Sequence, residues 1–456
     1  MDMNPDFLAG LETVLGKDRC LTAAEDRMAY SFDMFARGMP DLVVLPETTA
    51  EVSAVLALAR KHRVPVTPRG AGTSLTGGPV PVKGGMVMAM TRMNRILEIS
   101  VTDRLVRTQP GVVTADLQKQ AAARGLCYPP NPTSAEYCTI GGNIATNAGG
   151  ASGVKYGVTA DYIRGLTVVL ADGRIMSTGG PCIKSVSGFD FKRALCGSEG
   201  LLGVITEACL RLIPAPAPPR TSLACFSTME AAGEAVAAII ENGLTPCCME
   251  LMDDRFLAAV SRVYGLSFPE GAGAALLVEF DDGPDRWPDQ EKRLAAACKN
   301  AVSLASAQTE QDRAKLWQAR KGGTAALVRQ AGFMQTLDFA VPVSCIARAI
   351  RGIQEIASDR HLDMVLIAHA GDGNLHPMVI YDPVDPVQKN AFDTAEKQMC
   401  RFILSLSGTL SGEHGIGIEK AGYLADELSD AAVSLGKDLK KLMDPAGILN
   451  PGKCGW

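Results

Sequence analysis

The spacing of apolar positions changes repeatedly along the first half of the chain, and each change predicts an element. The stretch DLVVLPETTAEVSAVLALARKHRVPVTPRG (41–70) holds the pattern in miniature. An apolar run at 43–45 predicts a short strand. Thr48 and Glu51 have capping-box spacing. Val52, Val55, Leu56 and Ala59 then follow at helical period. A second strand is predicted at 64–67, running straight into a glycine-rich loop. Further apolar runs predict strands at 86–90, 166–170 and 204–206.

The run PAPAPP (214–219) breaks this pattern, because consecutive prolines favour extended linker geometry over helix or central sheet. Beyond it, helical spacing at 231–242, 287–304, 312–330 and 343–359 alternates with strand-like runs at 274–280, 364–368 and 377–381. That alternation suits a domain with helices on one face of an antiparallel sheet. After 407 the chain turns glycine-rich again. The expected division is residues 1–214, 215–406, and a C-terminal segment 407–456 that returns to the first domain, in an α+β protein.

Composition narrows the class. Apolar residues make up 47% of the 456-residue chain, charged residues 21%, and the formal charge is −5, ordinary for a globular protein. The absence of a lysine or arginine run argues against nucleic acid as a partner. No stretch has the roughly 18 apolar residues of a transmembrane segment. The opening MDMNPDFLAGLETVLG places acids early, with no basic flank, unlike a signal peptide. Thirteen scattered cysteines form no CxxC pair, which argues for free thiols in a reducing cytoplasm and against an iron–sulfur cluster in this chain. Peripheral attachment at the inner membrane stays compatible with that location.

Three glycine-rich segments stand out. PRGAGTSLTGG (68–78) follows a strand, and its glycines let successive N–H groups point into one concavity that suits phosphate oxygens. The spacing is neither GxGxxG nor a Walker A loop. A plain structural turn has the same composition. PPNPTSAEYCTIGGNIATNAGGASGVKYG (129–157) holds two Gly-Gly pairs and many small residues, as expected of a segment lying along a large flat ligand. ALCGSEGLLGVIT (194–206) again leads small residues into an apolar strand.

HAGDGNLHP (369–377) concentrates two of the chain's five histidines. A four-residue hairpin loop at 371–374 would pair Ala370 with Leu375 and His369 directly with His376, on one sheet face and within reach of one metal ion. Glu413, in SGEHGIG (411–417), is the expected third ligand. Two histidines and a carboxylate leave coordination positions open. Zinc is the simplest choice, and manganese or iron fits the same ligands.

The three glycine-rich segments, in this order, resemble the flavin domain shared by vanillyl-alcohol oxidase and p-cresol methylhydroxylase. With HAGDGNLH and SGEHGIG added, the chain resembles the FAD-linked D-2-hydroxyacid dehydrogenases of the D-lactate dehydrogenase and glycolate oxidase flavin-subunit type. The resemblance implies a two-subdomain FAD-binding domain and an α+β cap domain with an antiparallel sheet. It implies FAD contacts at Arg69, Gly70, Gly72, Thr73, Ser74, Gly78, Thr133, Gly141, Gly142, Asn147, Gly150 and Ile205. Some relatives tether the flavin through a histidine in the first loop. Here that loop has none, so FAD is expected to bind non-covalently. The resemblance also makes His369, His376 and Glu413 metal ligands, His414 the base, and Arg320 and Thr324 the substrate contacts.

The implied reaction moves the hydroxyl proton of a small 2-hydroxy acid to His414 and its C2 hydrogen to flavin N5 as hydride, with the carboxylate held by an arginine fork. Where D-2-hydroxyglutarate dehydrogenases have a lysine and an asparagine, this chain has Thr336 and Met378. Loss of both polar anchors favours D-lactate, then glycolate, over a dicarboxylate. An electron-relay subunit that resembles this fold lacks the histidine hairpin and the Glu-His motif, both present here. The electron acceptor is expected to be external, with an iron–sulfur partner subunit among the options, and a homodimer is compatible with the family.

Overall fold

The computed structural model describes residues 4–456, so residues 1–3 of the opening segment lie outside it. The chain divides into two compact units. Of the described residues, one comprises those up to Gly149, Val158–Ala215 and Glu413–Trp456, and the other Gly150–Gly157 and Pro216–Gly412.

The first unit contains two main sheets. Strands Leu42–Val44, Met86–Ala89 and Val66–Arg69 run parallel, with Cys20–Leu21 antiparallel at the edge. The helix Thr49–His62 crosses between two of them. Thr48 caps it with the expected capping box, and Val52, Val55, Leu56 and Ala59 are its buried positions. The second strand of this unit spans Val66–Arg69, two residues later than the apolar spacing predicts. The reason is the helix end, since Arg63 takes a left-handed conformation and the Val64 N–H bonds back to Ala59 O. The other sheet is antiparallel, in the order Ile96–Ser100, Leu105–Thr108, Val204–Arg211, Ile163–Val169, Ile175–Gly179. Tyr128, Ile140, Leu166, Val168 and Leu210 centre its core.

The second unit is built on an eight-stranded antiparallel sheet. Its central strands are Arg220–Phe226, Ala274–Phe280, Cys248–Asp253, Asp363–His369 and Asn374–Ile380, in that spatial order. Helices cover both faces, not one. Asp254–Tyr264 and Glu310–Ala331 pack on the face carrying Met252, Leu277, Val365 and Met378. Met229–Glu241 and Ile346–Asp359 pack against each other and the opposite face, where Leu251, Leu276 and Leu366 are also fully buried. The fully buried pattern of Ala274–Phe280 and Cys248–Asp253 follows from this double cover. The predicted helix over 287–304 stops at Ala297, and Leu304 lies in the edge strand Ser303–Ser306 instead. There the Val302 N–H donates to Cys225 O, so sheet pairing overrides local helical spacing.

Among the described residues, the thirteen cysteines form no disulfide. Among the described residues no helix is long and apolar enough to cross a membrane.

Candidate active site

The first glycine loop wraps around a buried guanidinium. Arg69 ends its strand and folds back, donating to Phe32 O at 2.9 Å and Pro79 O at 3.2 Å. Gly72 passes so close that a Cβ there would lie 2.1 Å from the Arg69 guanidinium, and its φ of +78° is a second demand for glycine. Burial pushes the Arg69 pKa down, with Asp33 opposing. Asp33 also accepts the Gly77 N–H at 2.7 Å, while Ser74 Oγ accepts the Thr76 N–H. The second half of the loop is thus pinned. Among the described residues, the backbone N–H groups of Ala71 to Leu75 donate to no protein acceptor. Such uncommitted donors in a turn suit the pyrophosphate of FAD.

The second glycine segment meets the first at close range. A Cβ on Gly70 would fall 2.3 Å from Thr139 Oγ1, the capping atom of helix Ile140–Thr146. A Cβ on Gly141 would lie 2.6 Å from Pro110, and Gly142 donates its N–H to Thr139 Oγ1. Asn147 ends the helix at φ +53°, with its Oδ1 accepting the Ala160 N–H at 2.9 Å. Thr73 and Thr133 are exposed, and Gly78 presents its carbonyl to Asn450 Nδ2 at 3.0 Å. Ile205 sits partly buried beside a register slip in its strand. Gly150, at φ +117°, belongs to the second unit.

The Glu-His segment is clipped to these loops. Glu199, in the third glycine-rich run, accepts the N–H groups of Ile416 at 2.7 Å and Gly417 at 2.9 Å. Thr76 receives the Ile418 N–H on its carbonyl and donates its hydroxyl to His414 O. Glu413 lies against Gly149, where a Cβ would be 3.2 Å from its carboxylate. Burial pushes the Glu199 pKa up, and the Ile416 and Gly417 N–H groups work against that rise. Sequence reasoning overlooked Glu199. Its only signal was an acid among small residues.

In the second unit, His369 and His376 share a sheet face, but the hairpin register differs from expectation. Residues 370–373 form the loop, so His369 pairs with Asn374 and His376 with Ile367. Gly373, at φ +81° and with a Cβ position 2.0 Å from Val341 O, fixes this turn. Moving the loop by one residue moves the pairing by two, so both side chains keep their face and become diagonal neighbours. Their ring centroids are 5.1 Å apart, edge to face.

Two acids touch this pair, and neither was picked out from sequence. Glu250 lies in the adjacent strand, one carboxylate oxygen 2.7 Å from His369 Nδ1 and the other 2.5 Å from the Arg320 guanidinium. Burial would raise the Glu250 pKa, but Arg320 and then His369 outweigh it and hold it below the usual carboxylate range. Asp338 lies 3.7 Å from His376 Nδ1, bonds Asn374 Nδ2 at 2.7 Å and accepts from Ser411 Oγ. Asp253 caps the neighbouring helix and also accepts the Leu366 N–H.

Arg320 reaches this face because its helix packs unusually near the helix Asp254–Tyr264. Cβ atoms on Gly322 and Gly323 would collide with Tyr264 and Phe256. The guanidinium stands over the Phe256 ring at 5.9 Å. It is 5% exposed, and its Nε finds no acceptor among the described residues. Thr324, one turn along, is half-buried. A carboxylate on His369 Nδ1 is the arrangement seen for histidines that bind a metal through the other ring nitrogen. The donor chemistry of the histidine pair therefore fits a divalent cation.

A parallel-plus-antiparallel flavin cradle combined with an antiparallel cap sheet defines a class of flavoprotein. The likeness to p-cresol methylhydroxylase with substrate bound gives a TM-score of 0.81 at 16% identity, over 99% of this chain and 96% of that one, and marks the fold. A model described as FAD binding domain matches residues 40–179, and one described as FAD linked oxidases, C-terminal domain, matches residues 215–454. The chain belongs to the FAD-linked oxidase family. It is 40% identical over 432 residues to the glycolate oxidase subunit GlcD of Bacillus subtilis (strain 168), covering 94% of this chain and 92% of the relative. It is 32% identical to a D-lactate dehydrogenase of Anaerostipes hadrus, covering 99% of this chain and 97% of the relative.

Proposed function

We propose that this chain oxidises a small D-2-hydroxy acid to the 2-oxo acid, D-lactate ahead of glycolate. Non-covalently held FAD supplies a two-electron acceptor for the C2 hydrogen. A divalent cation, zinc or alternatively manganese or iron, held by His369, His376 and Glu413, supplies Lewis acidity to the hydroxyl.

The chain's own residues do the rest. Arg320 holds the substrate carboxylate and Thr324 adds a hydrogen bond. Holding the carboxylate fixes C2 in one orientation, which converts binding energy into alignment. His414 takes the hydroxyl proton as general base. The loop 68–78 and the segment 129–157, with Ile205, line the flavin.

The observation that carries this reading is the orphaned donor of Arg320. A buried guanidinium nitrogen with no acceptor costs free energy unless a ligand completes it. A carboxylate is the matching ligand. Preference for a monocarboxylate draws on Met378, which is fully buried with Met252, Phe256 and Ile367 and is paired through its backbone with Thr336. Neither residue offers a charge to a second carboxylate. The electrons pass to an external acceptor, and the designation of the Bacillus relative as a subunit fits an acceptor in a partner chain, such as an iron–sulfur protein.

A steady-state panel of D-lactate, L-lactate, glycolate and D-2-hydroxyglutarate with an artificial acceptor tests the proposal. The highest kcat/KM is expected for D-lactate. A clear lead for D-2-hydroxyglutarate overturns the size preference, and equal use of L-lactate overturns the configuration.

A further inference from the structure

We propose that Glu250 is a positioning residue that ties the substrate-carboxylate clamp to the metal ligand, so that the two halves of the site are energetically coupled through one carboxylate. The inference rests on the proposed roles of Arg320 and His369.

The geometry is specific. Glu250 sits mid-strand, 1% exposed, in a segment otherwise lined by Cys248, Met249, Leu251 and Met252. Its two oxygens have different partners, Oε1 on His369 Nδ1 at 2.7 Å and Oε2 on Arg320 at 2.5 Å. Glu250 is also the register partner of His369 across the two strands, so its side chain and the imidazole leave the sheet side by side. A buried acid placed only to neutralise Arg320 needs one such contact. The second contact sets the ring orientation and tautomer of His369, with the proton on Nδ1 and the lone pair on Nε2.

Arg320 is in turn fixed by Glu250 on one side and Phe256 beneath. Its Nε has no acceptor among the described residues, which leaves donor capacity for a substrate carboxylate. Movement of Glu250 disturbs both the imidazole and the guanidinium. This predicts an effect that a simple counter-ion would lack: a change at Arg320, which is not a metal ligand, alters metal affinity through Glu250.

The test uses the full-length, FAD-loaded protein and zinc alone as the probe. Zinc affinity is measured by competition with a chromophoric chelator in wild type, Glu250→Gln, Arg320→Lys and the double variant, beside flavin content and KM for D-lactate. Glu250→Gln is expected to bind zinc about 10–100-fold more weakly, with flavin content retained and KM raised. Arg320→Lys is expected to weaken zinc several-fold, and that effect is expected to vanish in the double variant. Wild-type zinc affinity in folded Glu250→Gln overturns the proposal. If Glu250→Gln does not fold, Arg320→Lys decides alone, and an unchanged zinc affinity there overturns the proposal. A wild-type protein that binds neither zinc, manganese nor iron overturns the metal-site reading and this inference with it.

Discussion

The Glu199 carboxylate accepts the Gly417 N–H at 2.9 Å across a separation of 218 residues, and so anchors the Glu-His segment to the third glycine-rich run. Glu199→Ala leaves the Ile416 and Gly417 N–H groups without this acceptor, at a cost of about 1–3 kcal/mol. We expect a lower Tm and a fall in kcat larger than the change in KM, because His414 is displaced while Arg320 is not. Glu199→Gln keeps an acceptor oxygen and is expected to recover much of the loss. Unchanged kcat in flavin-loaded Glu199→Ala would show that this clip does not position His414.

Gly323 lets two helices meet where a Cβ would lie 2.1 Å from the Phe256 ring. Gly323→Ala forces the helix carrying Arg320 outward. The expected destabilisation is about 1–3 kcal/mol, together with a higher KM for the acid. Thermal melting and KM, measured side by side, check both. A normal KM beside a lowered Tm would confine the role of Gly323 to packing.

Asp253 gives the pH dependence a sign. Burial raises its pKa from 3.8 to about 7, against the opposing N–H groups of Phe256 and Leu366. Unfolded, this acid loses its proton near its ordinary value; folded, it keeps it to about 7. Between those values the folded chain binds the extra proton. The Asp253 contribution to stability therefore declines as pH rises across that window and is level above it. Urea denaturation at several pH values should show a shallower decline in Asp253→Asn than in wild type. Parallel slopes would rule Asp253 out as their source.

Thr336 backs the buried Met378 on the neighbouring strand. Thr336→Lys places a cation near the histidine-bearing strand. We expect the ratio of kcat/KM for D-2-hydroxyglutarate over D-lactate to rise, by about tenfold if the new cation gains one charged hydrogen bond. A ratio that stays flat removes Thr336 from the determinants of substrate size.

Much of the local structure was legible because it depends on near neighbours. The capping box of Thr48 and Glu51 and the buried stripe Val52, Val55, Leu56 and Ala59 stand as the spacing reads. The hairpin was legible in kind but not in register, since the loop position depends on Gly373 meeting Val341 from a distant strand. Strand Cys248–Asp253 was obscured because Glu250 interrupts an apolar run, and its partners His369 and Arg320 lie far along the chain. Glu199 was hidden for the same reason, its partners lying at Ile416 and Gly417. Residues whose meaning lies in a long-range partner are the ones that sequence spacing cannot reveal.

The most direct measurement is anaerobic bleaching of the bound flavin, followed near ~450 nm, on mixing with D-lactate or L-lactate before and after chelator treatment. D-lactate is expected to bleach the flavin rapidly, L-lactate not at all, and D-lactate much more slowly once the cation is removed while FAD stays bound. Bleaching that ignores both the configuration of the acid and the chelator would contradict the proposed chemistry.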